Sequence, residues 1–267
     1  MASVLRSLVP VAALSGVALA GPQSCPGNMP LSCHNTTAVA DTCCFIPAGQ
    51  LLQTQFWDTN PVTGPTGNSW TIHGLWPDNC DGTYPARCDA GRAYTNIADI
   101  LSATGGGDTL AYMETYWKDY KGDDEAFWEH EWAKHGTCIS TLEPRCYSGY
   151  TPAEEATAYF ARTVALFKTL PTYTWLADAG IKPSSSRTYA LADVQAALQQ
   201  RHGAAVTLGC KGKVLNEAWY HFNVQGSLQQ GKFVAAEPDG PKGQCPRRVQ
   251  YKPKSGSRGS GFKSVRY

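Results

Sequence analysis

The chain has 267 residues, 42% of them hydrophobic, and its 23 basic residues nearly balance its 22 acidic ones. Beyond the N-terminal segment no stretch is long and apolar enough to span a bilayer, and no internal repeat or linker divides the body. Residues 247–267 hold seven of the basic residues, so residues 21–246 have 15 basic against 22 acidic ones, a net charge of −7 that excludes a broad electrostatic clamp for a polyanion.

The first segment has the form of a cleaved secretory signal. Residues 1–20 contain one Arg, an apolar stretch over residues 8–19 and a small-residue ending before Gly21. We therefore expect residues 1–20 to be a signal peptide and the protein to be secreted or held in a vacuolar or lysosome-like compartment. Residues 21–250 would then form one domain. Residues 251–267, rich in Gly, Ser and basic side chains, are expected to be a disordered tail.

All ten cysteines lie beyond the signal segment. An even number of cysteines in an oxidising compartment predicts five disulfides. Their spacing does not match paired Cys-x-x-Cys zinc sites, and the residues alone leave the pairing open. Asn35 begins the one clear glycosylation sequon, Asn-Thr-Thr, so we expect it to be a candidate glycan site.

A strand is predicted over residues 69–75, in a short alternating apolar run that ends at Pro77. Alternation would place His73 and Leu75 on the same side of this strand, unless Gly74 interrupts it with a bulge. A single histidine in a strand is more often a hydrogen-bonded core residue than a catalyst. His73 therefore needs support from other residues before a catalytic role is assigned.

That support comes from residues 129–138, EHEWAKHGTC, which crowd two histidines, a lysine and a carboxylate into about two helical turns. Glu131 and His135 share one helix face, and His130 and Lys134 share another. The zinc-protease pattern needs two histidines four apart, whereas these are five apart, so we expect no metal. A solvated charged helix face is the structural alternative. The combination suits a reaction that moves protons around a phosphate or acyl centre.

The remaining elements predict a mixed α+β domain. Thr151 to Glu154 form a helix start, with Thr as N-cap, Pro in the first turn and Glu three residues after the cap. The following apolar positions recur at helical spacing: Tyr159, Phe160, Val164, Leu166, Phe167 and Leu170. Two other helices and two strands are predicted from periodicity and β-branched or aromatic content: helices over 109–120 and 189–202, and strands over 205–210 and 214–225.

Two segments, IHGLWP at residues 72–77 and EHEWAKHGTC at residues 129–138, closely resemble the two catalytic segments of the ribonuclease T2 family, the secreted acid ribonucleases, above all its fungal members. The likeness extends from about Cys25 to about Cys245. It implies an α+β fold in which a central antiparallel sheet packs against several helices in one disulfide-rich domain. It also implies a secreted endoribonuclease that cleaves single-stranded RNA with little base specificity.

The resemblance implies transphosphorylation to 2′,3′-cyclic phosphates and then hydrolysis to 3′-phosphates, with His135 as base and His73 as acid in the first step and the roles exchanged in the second. Lys134 and Glu131 would stabilise the phosphorane, and His130 would hold the phosphate. Glu131 lies one turn before His135, so it alternatively tunes the pKa of that imidazole. RNA carries its own nucleophile, the 2′-OH, so no metal or other cofactor is expected.

The fungal members imply base-binding roles as well. Trp76 and Tyr84 would stack on a base, Asp78 would accept from an exocyclic amino group, and Phe127 would form a wall of a second base site. Packing is the alternative for aromatic side chains near a proline and two cysteines. An Asp in this place predicts a weak purine bias. The implied disulfides are Cys25–Cys44, Cys33–Cys80, Cys43–Cys146, Cys88–Cys138 and Cys210–Cys245.

Two other classes stay open. One is a secreted binding or defence protein that kept the fold and lost catalysis, against which the intact His73, Glu131, Lys134 and His135 argue. The other is a metal-dependent phosphoesterase, whereas a Ser-His-Asp hydrolase would need a Gly-x-Ser-x-Gly elbow that is missing from the sequence. We expect a monomer with single-stranded RNA as its partner, no membrane and no stable protein partner. The basic tail either recruits RNA or a wall polyanion, or is a solubilising end.

Overall fold

The computed structural model describes residues 21–61, 64–65, 67–240 and 243–255, so the predicted signal peptide and most of the predicted tail lie outside the described residues. The strands are β1 (Gly21–Pro22), β2 (Gln50–Phe56), β3 (Thr71–Asp78), β4 (Tyr147–Ser148), β5 (Tyr189–Ala190), β6 (Thr207–Lys211), β7 (Val214–Gln225), β8 (Lys232–Ala235) and β9 (Arg248–Val249). The α-helices are α1 (Ile97–Ala103), α2 (Gly107–Tyr116), α3 (Asp124–Lys134), α4 (Glu154–Thr169), α5 (Thr172–Asp178) and α6 (Leu191–His202). Within the described part of the chain, no helix is long and apolar enough to cross a membrane.

A five-stranded sheet in the order β3-β2-β7-β6, with β8 also paired to β7, forms the centre of the fold. All of its pairings are antiparallel. Helix α4 packs against β2 and β3, so the predicted α+β class with a central antiparallel sheet packed against helices is confirmed. Strands β1 and β4, and strands β5 and β9, make two small accessory sheets.

Helix α4 supplies much of the core beneath this sheet. Its predicted apolar positions are all buried: Tyr159, Phe160, Val164, Leu166, Phe167 and the flanking Leu170. Tyr159 Oη also donates to the Leu75 carbonyl at 3.0 Å, which ties α4 to the middle of β3. A buried hydroxyl needs such a partner, so this bond fixes where the helix crosses the strand.

A bulge in β3 decides which side chains reach the open face of the sheet. Along the pairing with β2, Thr54 faces Gly74 and Gln55 faces Ile72, so His73 is the extra residue. Ile72 and Leu75 therefore both enter the hydrophobic core, although they are three residues apart. The prediction that His73 and Leu75 share a side is wrong, and the bulge that Gly74 suggested is the reason.

Several boundaries differ from the predicted ones. β3 continues through Pro77 to Asp78, which is compatible with proline because β3 is an edge strand. Helix α4 begins at Glu154, after Ala153 in a left-handed conformation with φ of 68°, and Thr151 is not its cap. Glu154 Oε1 instead accepts from the Thr151 backbone N–H at 2.8 Å. The prediction of Thr151 as N-cap is therefore wrong. Helix α6 ends at His202, as predicted, and Gly203 follows it as the C-cap in a left-handed conformation.

The first residues of the predicted tail are packed against the body. Tyr251 is fully buried, and its hydroxyl accepts from Trp70 Nε1 at 3.0 Å. Trp57 Nε1 donates to the Lys252 carbonyl at 2.8 Å, and the Ser255 N–H donates to the Thr59 carbonyl at 2.8 Å. The prediction of a disordered tail from residue 251 is thus wrong for residues 251–255, because an aromatic side chain there fills the core.

The ten cysteines form five disulfides, the pairs that the family resemblance implies: Cys25–Cys44, Cys33–Cys80, Cys43–Cys146, Cys88–Cys138 and Cys210–Cys245. Two of them follow the site segments closely, through Cys80 after β3 and Cys138 after α3. Asn35, the predicted glycan site, is exposed. Cross-links at these positions restrict the unfolded chain and hold the ends of the site segments in place.

Candidate active site

His73, Gly74 and Trp76 lie on the open face of the sheet because of the bulge in β3. A Cβ added to Gly74 would lie 2.0 Å from Glu131 Oε2 and 2.8 Å from Trp76 Nε1. Only a glycine therefore leaves room for the Glu131 carboxylate to lie directly on the strand. The close approach of β3 and α3 therefore depends on glycine at this position.

Helix α3 brings the second segment over that face. Asp123 caps its start by accepting from the Ala126 N–H at 3.2 Å, and His135 follows its last residue as the C-cap. The His135 N–H donates to the Glu131 carbonyl at 3.1 Å, so the two side chains stay on one face. Both are buried, at 4% and 1% exposure. The Cys88–Cys138 disulfide holds the chain just after the helix.

Trp76 lies at the centre of a cluster that also contains His73, Glu131 and His135, the candidate catalytic cluster. Its indole stacks on the His135 ring at 5.0 Å between centroids and meets the His73 ring edge-on at 4.5 Å. Trp76 Nε1 donates to Glu131 Oε2 at 2.8 Å, and Glu131 Oε1 lies 3.6 Å from His73 Nε2. Phe56 supports the other side of His73 with a stacked ring at 3.8 Å.

Four polar atoms of this cluster are buried without a hydrogen-bond partner in the described residues: His73 Nδ1, Glu131 Oε1, His135 Nδ1 and His135 Nε2. Unpaired buried polar atoms are costly in a folded protein, so their concentration in one place marks a site that substrate completes. No three His, Cys, Asp or Glu side chains of the described ranges converge as metal ligands would.

The burial of the cluster shifts its protonation. Burial raises the pKa of Glu131 to about 8, so this carboxyl is neutral at acidic pH. Burial, then the charges of Lys134 and His130, lowers the pKa of His135 to about 3. Burial, followed by the neighbouring His135 and Lys134, also holds the pKa of His73 well below its ordinary value. The site thus combines a neutral carboxyl with two imidazoles that resist protonation until an anion binds.

Comparison with known proteins identifies this arrangement. The model of the ribonuclease T2 family matches residues 48–234. Ribonuclease Trv from Hypocrea rufa is 72% identical over 232 residues, which are 87% of this chain and 99% of that protein. The chain belongs to the ribonuclease T2 family. The predicted family and enzyme class are confirmed, and the protein is a T2-type endoribonuclease.

Other relatives of this T2 ribonuclease agree. Ribonuclease T2 from Aspergillus oryzae is 51% identical over 233 residues, covering 86% of this chain and 84% of that protein. The crystal structure of Actibind, a T2 ribonuclease, matches with a TM-score of 0.84 at 49% identity and covers 88% of this chain and 100% of that one. The structure of human RNase T2, at 24% identity and a TM-score of 0.56 over 78% of this chain and 100% of that one, supports the fold alone.

The other predicted cationic residues of this T2 ribonuclease, His130 and Lys134, lie beside the cluster on α3. His130 is exposed and Lys134 is half-buried on the neighbouring face of α3. Partial desolvation of its imidazole by the surrounding protein, then the charges of Lys134 and Arg87, lower the pKa of His130. Sequence reasoning missed Arg87, whose N–H donates to the Lys134 carbonyl at 3.0 Å. Arg87 could have been found from the sequence because it precedes Cys88, and the family resemblance pairs Cys88 with Cys138 just after α3.

Two of the predicted base-binding residues, Trp76 and Phe127, lie beside the His73 ring. Trp76 belongs to the catalytic cluster, with one face covered by His135. Burial and the neighbouring Asp239 raise the pKa of Asp78 to about 7, and Tyr84 is 63% exposed. Phe127 lies 5.7 Å from the His73 ring and 6.5 Å from the Phe56 ring. Sequence reasoning missed Phe56, because its signal, a phenylalanine at a strand end, is common.

Proposed function

We propose that this endoribonuclease cleaves single-stranded RNA by metal-free transphosphorylation, using His135 and His73 as its base and acid. The observation that carries the proposal is the convergence of both imidazoles and the Glu131 carboxyl on Trp76. Each imidazole can take up or release a proton once the substrate phosphate offsets the burial that lowers its pKa. The two can therefore exchange the roles of donor and acceptor, which a two-step reaction at phosphorus requires.

In the first step, unprotonated His135 takes the proton of the ribose 2′-OH as the 2′-oxygen attacks phosphorus. The bond from phosphorus to the 5′-oxygen breaks, and protonated His73 gives its proton to that oxygen. The products are a 2′,3′-cyclic phosphate and a free 5′-OH. A low pKa suits His135 to this role, since the base stays available in acid.

In the second step, water opens the cyclic phosphate with the roles exchanged. His73, now neutral, takes a proton from water, and protonated His135 gives its proton to the departing 2′-oxygen. The product is a 3′-phosphate, and both histidines return to their starting states. No cofactor is needed in either step.

Charge at the phosphorane is stabilised by three groups in this proposal. Neutral Glu131 donates a hydrogen bond from its unpartnered Oε1, and Lys134 supplies a fixed positive charge. His130 holds the phosphate from the exposed side of α3. Glu131 contacts His73 rather than His135, and it is not among the causes of the His135 pKa shift, so we assign it to the phosphorane and not to tuning His135.

Base binding is part of the proposal. Tyr84 and Trp76 stack on the first base, Asp78 accepts from its exocyclic amino group, and Phe127 with Phe56 forms a wall for the second base. The aromatic surfaces accept any base, which gives broad specificity with a weak purine bias. We further propose that the enzyme acts as a secreted monomer, with residues 1–20 as its signal peptide and Asn35 as a glycan site.

The test is cleavage of the dinucleotide ApU from acidic to neutral pH in excess EDTA. The variants His73→Ala and His135→Ala are compared with the wild-type enzyme, and products are separated by chromatography over time. We expect a transient 2′,3′-cyclic phosphate with the wild type and its loss in both variants. Activity that requires a divalent cation would instead favour the metal-dependent phosphoesterase. An inactive wild type would favour a binding protein.

A further inference from the structure

The open face of the sheet continues past the catalytic cluster into a second cavity. This cavity, of about 350 Å³, lies over β6 and β7, and Gly209, Lys211, Glu217 and Trp219 are among the residues that line it. We call these four residues the Trp219 groove. Glu217 pairs with Phe56 across β7 and β2, and Gly209 pairs with Glu217 across β6 and β7. Paired residues share a face, so the groove lies on the same face as the His73 ring that Phe56 supports.

Trp219 is set apart from the core by strand alternation. Its neighbours Ala218 and Tyr220 are fully buried in the hydrophobic core, whereas Trp219 points to the opposite face and is partly exposed. Its indole meets the Trp76 indole edge-to-face at 5.6 Å, and Trp76 in turn stacks on His135. The groove is therefore continuous with the catalytic cluster through two tryptophans in contact.

A carboxyl group is built into the groove. Trp219 Nε1 donates to Glu217 Oε2 at 3.0 Å, which fixes both side chains. A Cβ added to Gly209 would lie 2.9 Å from that same oxygen, so the glycine gives the carboxyl room above β6. Burial raises the pKa of Glu217, and a protonated carboxyl can both donate to and accept from the edge of a base.

Lys211 adds a positive charge at the border of the groove. Its side chain is 67% exposed, and its Nζ lies 3.7 Å from Asp58 Oδ1. Its charge also contributes to the lowered pKa of His73, which places it within electrostatic reach of the catalytic cluster. Lys211 lines the same cavity as Trp219, and a positive charge beside an aromatic stacking surface is how proteins commonly hold a nucleotide of a single strand.

We propose that the Trp219 groove binds one further nucleotide of the RNA strand, beyond the two that flank the scissile phosphate. The base lies on the Trp219 indole with its edge at the Glu217 carboxyl, and its phosphate lies at Lys211. RNA is the occupant because the groove lies on the same sheet face as the proposed cleavage site and contacts it through Trp219 and Trp76. This inference rests on the proposed function only for the identity of that strand.

Binding of uncleavable RNA tests the groove independently of catalysis. A 2′-O-methyl dinucleotide and two trinucleotides, extended by one nucleotide at the 5′ or the 3′ end, are titrated calorimetrically at acidic pH. We expect one trinucleotide to bind the wild type about tenfold more tightly than the dinucleotide. Trp219→Ala loses this advantage and Trp219→Phe keeps most of it. Equal affinity for all three ligands, or an advantage that survives Trp219→Ala, overturns the proposal.

Charge variants provide the matched comparison. Lys211→Gln should reduce the advantage of the longer ligand and flatten its dependence on salt. Lys182→Gln makes the same charge change at an exposed lysine outside the groove and should leave the advantage unchanged. Equal effects of the two variants would contradict a role for Lys211. If the enzyme fails to cleave any RNA, the proposed function fails, while these binding measurements still decide whether the groove holds a nucleotide.

Discussion

Gly74→Ala is the substitution that tests the site geometry most directly. The backbone at Gly74 is not in the left-handed region, so alanine is compatible with the strand conformation. The new Cβ, however, would lie 2.0 Å from Glu131 Oε2, where ordinary contact begins at 3.4 Å. Glu131 must therefore retreat by about 1.4 Å, and the hydrogen bond from Trp76 Nε1 must lengthen or break.

The size of the effect follows from that displacement. Moving a group that stabilises the transition state by about 1 Å costs roughly 100-fold in rate, so kcat/KM should fall by about two orders of magnitude. Overpacking of the contact should cost about 1–3 kcal/mol of unfolding free energy, and loss of one hydrogen bond about 1 kcal/mol. The protein should still fold, because its five disulfides remain.

The assay is steady-state cleavage of a dinucleotide together with denaturant unfolding. Gly107→Ala is the matched control, since no heavy atom lies within 4 Å of its added Cβ, and it should retain full activity. Glu131→Ala and the double variant with Gly74→Ala complete a cycle. If alanine at Gly74 acts through Glu131, the double variant is little worse than Glu131→Ala alone. Fully multiplicative losses, or a loss below threefold for Gly74→Ala, would refute the reasoning.

Three further predictions concern stability. The pKa of Glu131 is raised to about 8 in the folded protein, so the folded state loses stability as pH rises from about 4.5 to about 8. Glu131→Gln should therefore flatten the decline of the unfolding free energy between pH 5 and pH 8. An unchanged pH slope in urea titrations would contradict this. Replacing Cys88 and Cys138 together by alanine should lower the unfolding free energy by about 2–5 kcal/mol. It should also lower kcat, because their disulfide holds the chain just after α3. Retention of full kcat would show that the disulfide does not position His135. Truncation after Gln250 removes the buried Tyr251 and should lower the unfolding free energy by about 3–5 kcal/mol. Truncation after Ser255 should lower it little. Equal melting temperatures for the two truncated proteins would contradict the prediction.

The sequence by itself indicated the family and the residues to which we assign its chemistry. Residue types at helical spacing placed Glu131 and His135 on one face, and the two long motifs indicated the family and its fold. The apolar positions of α4 were readable for the same reason, since periodicity reports directly which side of an element is buried. Both are local properties, fixed by backbone geometry over one or two turns.

Only the tertiary structure decided how the two segments meet. The bulge at His73 depends on the pairing of β3 with β2, and it reverses the alternation that the sequence predicted. The low pKa of His135 and the high pKa of Glu131 arise from burial between β3 and α3. Phe56, Arg87 and the Trp219 groove join the site from distant parts of the chain, because contacts across a sheet face depend on register and burial, which no single segment contains.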